Sequence, residues 1–384
     1  MKKKLLFIWE YPFTKLHYKY FFLKYFKKIF KIKIIDCSDI FHPNTIFVED
    51  LNFYKPKTIY ELETKNNLDQ INYVILGGSE NFKNKIYASL GNYKIKFIDF
   101  RIHYPVFNSI TFDLLIKIIH DFRINFFYII IYNIILNRLK ILKNYFSKSK
   151  DKIKYKVDLT FVSGDLAKEH SKNNNNIKKI IEISSYEYAF KPKLIYKKKI
   201  AVFLDNLTFM HPDVLILFKK REKFYHSHFL QLNNFFSFLE KKYNLKVVIA
   251  AHPKTDLSKF KNLYPNYEII INKTIDLVFS SQFVMAHSTT SAINLAIIYK
   301  KPLIFLTTNI LENEFQYYKE LVFKNIILKQ PLVNVSYKEN YINFDKYRDI
   351  NFKGYQEFIC KYMKSKYIKS TLLKEKILAE ILKL

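Results

Sequence analysis

The sequence predicts an α/β protein built from two Rossmann-like units in series, facing each other across a cleft. Three observations carry this reading. Short apolar runs with the length of buried parallel strands alternate with stretches long enough for crossover helices. The alternation is interrupted once by a polar stretch and then starts again. Finally, the 384 residues hold only five glycines (Gly77, Gly78, Gly91, Gly164 and Gly354), where about 27 would be usual at ~7%. None of them fits the G-x-G-x-x-G or G-x-x-x-x-G-K-[ST] spacing, so a dinucleotide fingerprint and a P-loop are excluded. A phosphate bound here must be held by helix N-termini and side chains.

In the first unit, residues 4–9, 32–35, 73–76 and 94–98 read as strands. Residues 157–162 form a fifth, and Ser163-Gly164-Asp165 predicts a cap for a helix over 166–170. Segment 109–146 is the odd one. Its centre, residues 124–136, is apolar almost throughout, but 13 residues fall short of the ~20 that a spanning helix needs, and Arg123 and Arg138 close it off. It reads as a buried core helix or as a helix lying in a membrane surface beside Lys140, Lys143, Lys148 and Lys150. Residues 171–199 turn polar around one short strand, 180–183. The second unit then runs strand 200–204, helix 229–242, strand 246–250, strand 268–271, helix 274–280, strand 283–286, helix 290–298 and strand 303–306. These patterns predict an N-terminal domain over 1–195, a C-terminal domain over 196–350, and helices over 351–384 that pack back on the N-terminal domain. Two such units without a glycine fingerprint predict a GT-B type architecture.

Composition narrows the function classes. Lys and Arg number 64 against 34 Asp and Glu, a formal net charge of +30. Only five of the 64 are arginines (Arg101, Arg123, Arg138, Arg221 and Arg348), while Lys, Asn, Ile, Phe and Tyr are inflated together. That covariation is the mark of compositional drift, and scarce Arg argues against base-reading contacts to nucleic acid. An anionic membrane surface remains a partner the charge would suit. Cys37 and Cys360 allow neither a zinc cluster nor a disulfide framework, which fits a cytoplasmic setting. The apolar run at residues 5–9 is too short for a signal sequence and is broken by Glu10.

Polar residues of the second unit gather at strand ends, where open α/β sheets bind ligands. Asp205 and Asn206 follow the first strand, with His211-Pro212-Asp213 just beyond; His252-Pro253-Lys254 follow the next; His287-Ser288-Thr289-Thr290-Ser291 and Asn294 follow a third. Hydroxyls and free N–H groups at a helix start favour a phosphate, and His252 and Lys254 or Lys273 can add donors and charge. Taken alone, Ser288–Ser291 could equally be a plain helix cap, and His211-Pro212-Asp213 a turn.

Ala250-Ala251-His252-Pro253-Lys254, followed by Ala286-His287-Ser288-Thr289-Thr290-Ser291, resembles the HP and SS/ST motifs of bacterial GT-B sialyltransferases, polysialyltransferases and Kdo transferases. The resemblance spans residues 200–308, where Phe203-Leu204-Asp205-Asn206, His211-Pro212-Asp213 and Lys301-Pro302-Leu303-Ile304-Phe305 are also similar to surface-polysaccharide proteins that include pseudaminic acid transferases. It implies that His252, Ser288 and Thr289 contact the phosphate of a CMP-activated acidic sugar. It further implies that Lys273 and Thr274 complete that pocket, that His287 and Asn294 line it, and that Asp205, His211 and Asp213 shape the donor side. The implied activity is metal-independent transfer of a nonulosonic acid or Kdo to a surface glycan of capsule or lipopolysaccharide, without a cofactor, at the inner face of the membrane. The family's acidic motif for the general base is missing. A carboxylate is still expected, because the acceptor hydroxyl must lose its proton; Glu10, at the end of a strand expected at the sheet centre, leads Glu80 and Asp99. Two alternatives remain: a CDP-glycerol or UDP-sugar transferase using the same pocket, and a non-catalytic polyanion-binding protein.

Overall fold

The computed structural model describes residues 2–43, 51, 53–102, 155–196, 199–206, 222–252, 255, 257–288, 290–313, 315–342, 344–365 and 372–384. The apolar segment 109–146 with its lysine flank lies outside the described residues, as do His211, Asp213, Pro253, Lys254 and Thr289.

Two six-stranded sheets carry the fold. β1 (Lys4–Trp9), β2 (Lys31–Asp36), β3 (Tyr73–Gly77), β4 (Lys96–Arg101), β5 (Leu159–Ser163) and β6 (Ile180–Ile183) pair in the order β2-β1-β3-β4-β5-β6. β7 (Ile200–Asp205), β8 (Lys246–Ala251), β9 (Glu268–Ile271), β10 (Val284–Ala286), β11 (Leu303–Thr307) and β12 (Leu332–Asn334) pair in the order β12-β11-β10-β7-β8-β9. Every pairing is parallel. Parallel strands are covered on both faces, which is why they read as unbroken apolar runs. In β1 the period of two is visible in the packing. Leu5 and Phe7 enter the core on one face, Leu6 and Ile8 the core on the other.

Strand order reverses between β1 and β3 in the first sheet and between β7 and β10 in the second. Those are the switch points, where crossovers leave in opposite directions and a crevice opens beyond the carboxyl ends of the strands. β1 is therefore not the centre of its sheet, as its sequence led us to expect; it is second from the edge and borders the switch point. β12 carries no strand signal at three residues, and it forms only because it completes the edge beside β11.

Two helix starts differ from expectation for local reasons. The helix expected over 166–170 runs Gly164–Lys172, and Ser163 does not cap it with its side chain. Its hydroxyl donates instead to the Tyr362 carbonyl at 3.4 Å. The helix expected over 290–298 begins at Ile293, because Thr290 first closes a turn, its Oγ1 accepting from the Ala292 N–H at 3.2 Å.

The end of the chain touches both sheets. Phe358, Tyr362 and Met363 are buried in the core of the second sheet, whereas Leu373, Ile377, Leu378 and Ile381 of the helix Leu373–Leu382 are buried in the core of the first. Among the described residues no helix is long and apolar enough to cross a membrane.

Candidate functional site

A cavity of about 430 Å³ lies where the strand ends of the two sheets meet. From the second sheet it is lined by Leu204, Asp205 and Asn206 at the end of β7, by Ala250, Ala251 and His252 at the end of β8, by Asn272 after β9 and by Thr290, Ser291 and Leu295 after β10. Thr274 and Ile275 add the start of the helix Thr274–Ser280. The opposite wall is α1 (Lys15–Tyr20), through Lys15, Leu16, Lys19 and Tyr20, with Glu187 and Phe190 from the connection after β6.

α1 is placed by its sequence. Thr14 opens it with a capping box: its Oγ1 accepts from the His17 N–H at 3.4 Å, and His17 Nδ1 accepts from the Thr14 N–H at 3.1 Å. Trp9 at the end of β1 then packs against Phe13, His17 and Phe21 with ring centroids 5.2–5.3 Å apart, fixing the helix to the sheet. Lys15 and Lys19, four residues apart, share one face.

Beneath the pocket runs a chain of buried polar contacts. Tyr264 OH donates to Asp205 Oδ2 at 2.5 Å, and His287 Nε2 lies 3.3 Å from Asp205 Oδ1. His287 Nδ1 faces His228 Nε2 at 3.0 Å, and His228 Nδ1 faces Thr308 Oγ1 at 2.8 Å. Thr308 Oγ1 in turn accepts from the Leu311 N–H at 3.2 Å. With Asp205 ionised, one proton arrangement satisfies every one of these contacts: Thr308 donates to His228, His228 to His287, and His287 to Asp205, with both rings neutral. Burial, then the neighbouring His287, depress the His228 pKa well below its ordinary value. The chain thus fixes a carboxylate at the switch point of the second sheet.

Two more groups tie the walls together. Asn294 Nδ2 donates to Glu187 Oε1 at 3.1 Å, joining the helix Ile293–Ile298 to the connection after β6. Tyr20 stacks on Tyr186 at 5.1 Å. Burial foremost, and the Glu187 charge next, raise the Tyr20 phenol pKa, against a hydrogen bond with Ser291.

The residues singled out from sequence separate accordingly. Asp205, Asn206, His252, Thr274, Thr290 and Ser291 line the cavity. His287 and Asn294 stand behind it, 1% and 4% exposed, and act on its walls through Asp205 and Glu187. Ser288 donates to Asn206 Oδ1 at 2.5 Å, so it orients a wall residue. Lys273 is exposed and precedes Thr274 without reaching the cavity wall.

The three carboxylates offered by the first half are scattered. Glu10 sits at the switch point of the first sheet, where its carboxylate accepts from the Ser79 N–H at 2.5 Å and the Ser79 hydroxyl at 3.1 Å, with His42 Nε2 at 3.5 Å. Gly78 leaves room for it: a Cβ there would meet Glu10 Cβ at 2.5 Å. Asp99 is buried and bound twice, to Lys83 at 2.6 Å and Arg101 at 3.2 Å. Burial alone would raise its pKa, but the two cations more than offset this and hold it low. Glu80 is an exposed residue in the first turn of the helix Glu80–Leu90. None of the three lines the cavity. Among the described residues no cluster of three or more His, Cys, Asp or Glu is arranged to hold a metal ion.

Sequence reasoning missed Lys15, Lys19, Tyr20, Glu187, Phe190, Asn272 and His228. Asn272 carried a usable signal, since it follows β9 as His252 follows β8; the lysines carried none in so lysine-rich a chain.

No family model matches the chain, and no curated protein sequence matches it. Solved structures do. A putative UDP-N-acetylglucosamine 2-epimerase from Listeria monocytogenes matches with a TM-score of 0.50 and 10% identity, over 99% of this chain and 96% of that one. The UDP-GlcNAc 2-epimerase of Methanocaldococcus jannaschii, in complex with UDP-GlcNAc and UDP, gives 0.49 and 12% over 99% of each chain. The glycosyltransferase SnogD from Streptomyces nogalater gives 0.49 and 10%, over 99% of this chain and 100% of that one. At these identities the likeness is one of fold. Two parallel doubly wound sheets, with strand ends converging on a shared cleft, give this chain a GT-B fold.

Proposed function

We propose that the chain is a glycosyltransferase whose donor is a nucleotide-activated sugar bound in the cavity between the sheets. The observation that carries this is the convergence of Asp205, Asn206, His252, Asn272, Thr274, Thr290 and Ser291 from four strand ends on one cavity, the place where open α/β sheets hold ligands. His252, Thr290 and Ser291 supply the donors for a phosphate, and Asp205 and Asn206 the acceptors for sugar or ribose hydroxyls. The half formed by residues 1–195 then presents the acceptor, and 196–350 the donor.

In the reaction an acceptor hydroxyl oxygen bonds to the anomeric carbon as the bond from that carbon to the phosphate oxygen breaks, and the electron pair leaves on the nucleotide. His252 and the hydroxyls stabilise that charge as it develops. The acceptor proton passes to a base on the first half. Glu10 is the proposed carboxylate, since it stands at that half's switch point with His42 beside it.

Within this class the HP and ST motifs favour a CMP-activated acidic sugar and a surface glycan acceptor. The UDP-sugar reading is kept as second, because the Listeria structure of the same fold is named for a UDP-sugar enzyme. Thermal shift or saturation-transfer NMR with CMP and UDP separates them: CMP is expected to bind. A response to UDP alone would sink the CMP donor, and silence with both would sink the nucleotide-sugar reading.

A further inference from the structure

The cavity is electrically divided. Its second-sheet wall carries Asp205, which accepts from Tyr264 and faces His287, while Glu187 on the opposite wall is bound by Asn294. Its α1 side carries Lys15 and Lys19. The Lys19 ammonium lies 4.2 Å from the centre of the Phe190 ring. Among the described residues no carboxylate comes within ion-pairing distance of it. The cleft walls strip water from it, Lys193 repels it, and together these lower its pKa even though Asp276 works the other way and the cleft mouth admits solvent. A cation so placed, resting on an aromatic face at the cavity wall, is within reach of an anion bound in the cavity.

We infer that Lys15 and Lys19 form an oxyanion subsite on the α1 wall of the cavity, which holds a phosphate or carboxylate group of the bound substrate. The charge pattern sets the direction of binding. An anion is repelled by Asp205 and drawn to Lys15 and Lys19, while hydroxyl-rich parts of the ligand face Asp205. The subsite deepens the nucleotide-sugar reading and rests on it only for the ligand's identity.

The test compares the intact chain with the double variant Lys15→Gln/Lys19→Gln by calorimetry, using cytidine, CMP, CMP-N-acetylneuraminate and inorganic pyrophosphate. The variant should keep the melting temperature of the parent and its affinity for cytidine, and lose about tenfold or more for an anionic ligand, the scale of one charge-assisted hydrogen bond. Equal losses for CMP and CMP-N-acetylneuraminate identify the anion as the nucleotide phosphate; a loss confined to the latter identifies the sugar carboxylate. Unchanged affinity for all charged probes overturns the subsite. Pyrophosphate keeps the two readings apart. If the parent binds no cytidine compound, the nucleotide reading fails, but the subsite still stands on tenfold weaker pyrophosphate binding by the variant, and falls if pyrophosphate binds both chains equally or neither.

Discussion

His228 contributes no atom to the cavity wall, yet it is joined through His287 to Asp205, which does. Fully buried between Thr308 and His287, it is kept neutral in the folded chain. The sign of the resulting pH dependence follows directly. In the unfolded chain the ring takes up a proton below its ordinary value of 6.5, whereas in the folded chain it does not until the pH is much lower. Unfolding therefore binds a proton in that window, and stability declines as pH falls from 6.5, by up to about 1.4 kcal/mol per pH unit for this one group. Urea denaturation at a series of pH values from 8 to about 5 should show the decline, and His228→Gln, which retains one donor and one acceptor, should make it shallower. An equal slope in both proteins would place the acid sensitivity elsewhere.

Among the elements, the helix Gly164–Lys172 shows how one residue couples distant parts of the chain. Gly164 opens it at φ +77, a conformation that costs other residues about a kcal/mol or more, and a Cβ there would meet the Lys361 carbonyl at 2.5 Å. The π-helical turn Ile359–Met363 thus lies directly on the backbone of a helix that belongs to the first sheet. Gly164→Ala should lower stability by about 2 kcal/mol or more, combining backbone strain with displacement of that turn. Chemical denaturation measures the loss, and amide exchange should show it concentrated at 359–363 and 164–172. A near-neutral effect would mean that the turn is free to shift.

For the molecule as a whole, the last helix matters out of proportion to its length. Leu373, Ile377, Leu378 and Ile381 are buried against the first sheet, although the chain has just left the core of the second. Burying side chains of this size stabilises by about 1.5–3 kcal/mol each as an upper bound, so deleting 372–384 should cost several kcal/mol. Because the apolar face laid bare is that of the first sheet, exchange protection should fall in β1, β3 and β5 and hold in β7, β8 and β10; a uniform loss would show that the two sheets unfold as one. All strands but β12 were legible in the sequence, because strands buried on both faces must be apolar throughout, and so was the place of Asp205, Asn206, His252, Thr274, Thr290 and Ser291 at one sheet edge, because polar residues after such strands emerge at their carboxyl ends. The sequence also implied two units, since the alternation of strand and helix restarts after a polar stretch. The tertiary structure alone decided the rest. Strand order placed β1 beside a switch point, burial turned Asp99 into a member of an ion-paired core and His287 into a support for Asp205, and the approach of the two sheets brought Lys15, Lys19, Tyr20 and Glu187 to the cavity. Local pattern reports the environment of a residue's own element, whereas a cleft is made of residues far apart in sequence whose meeting depends on the packing of two sheets.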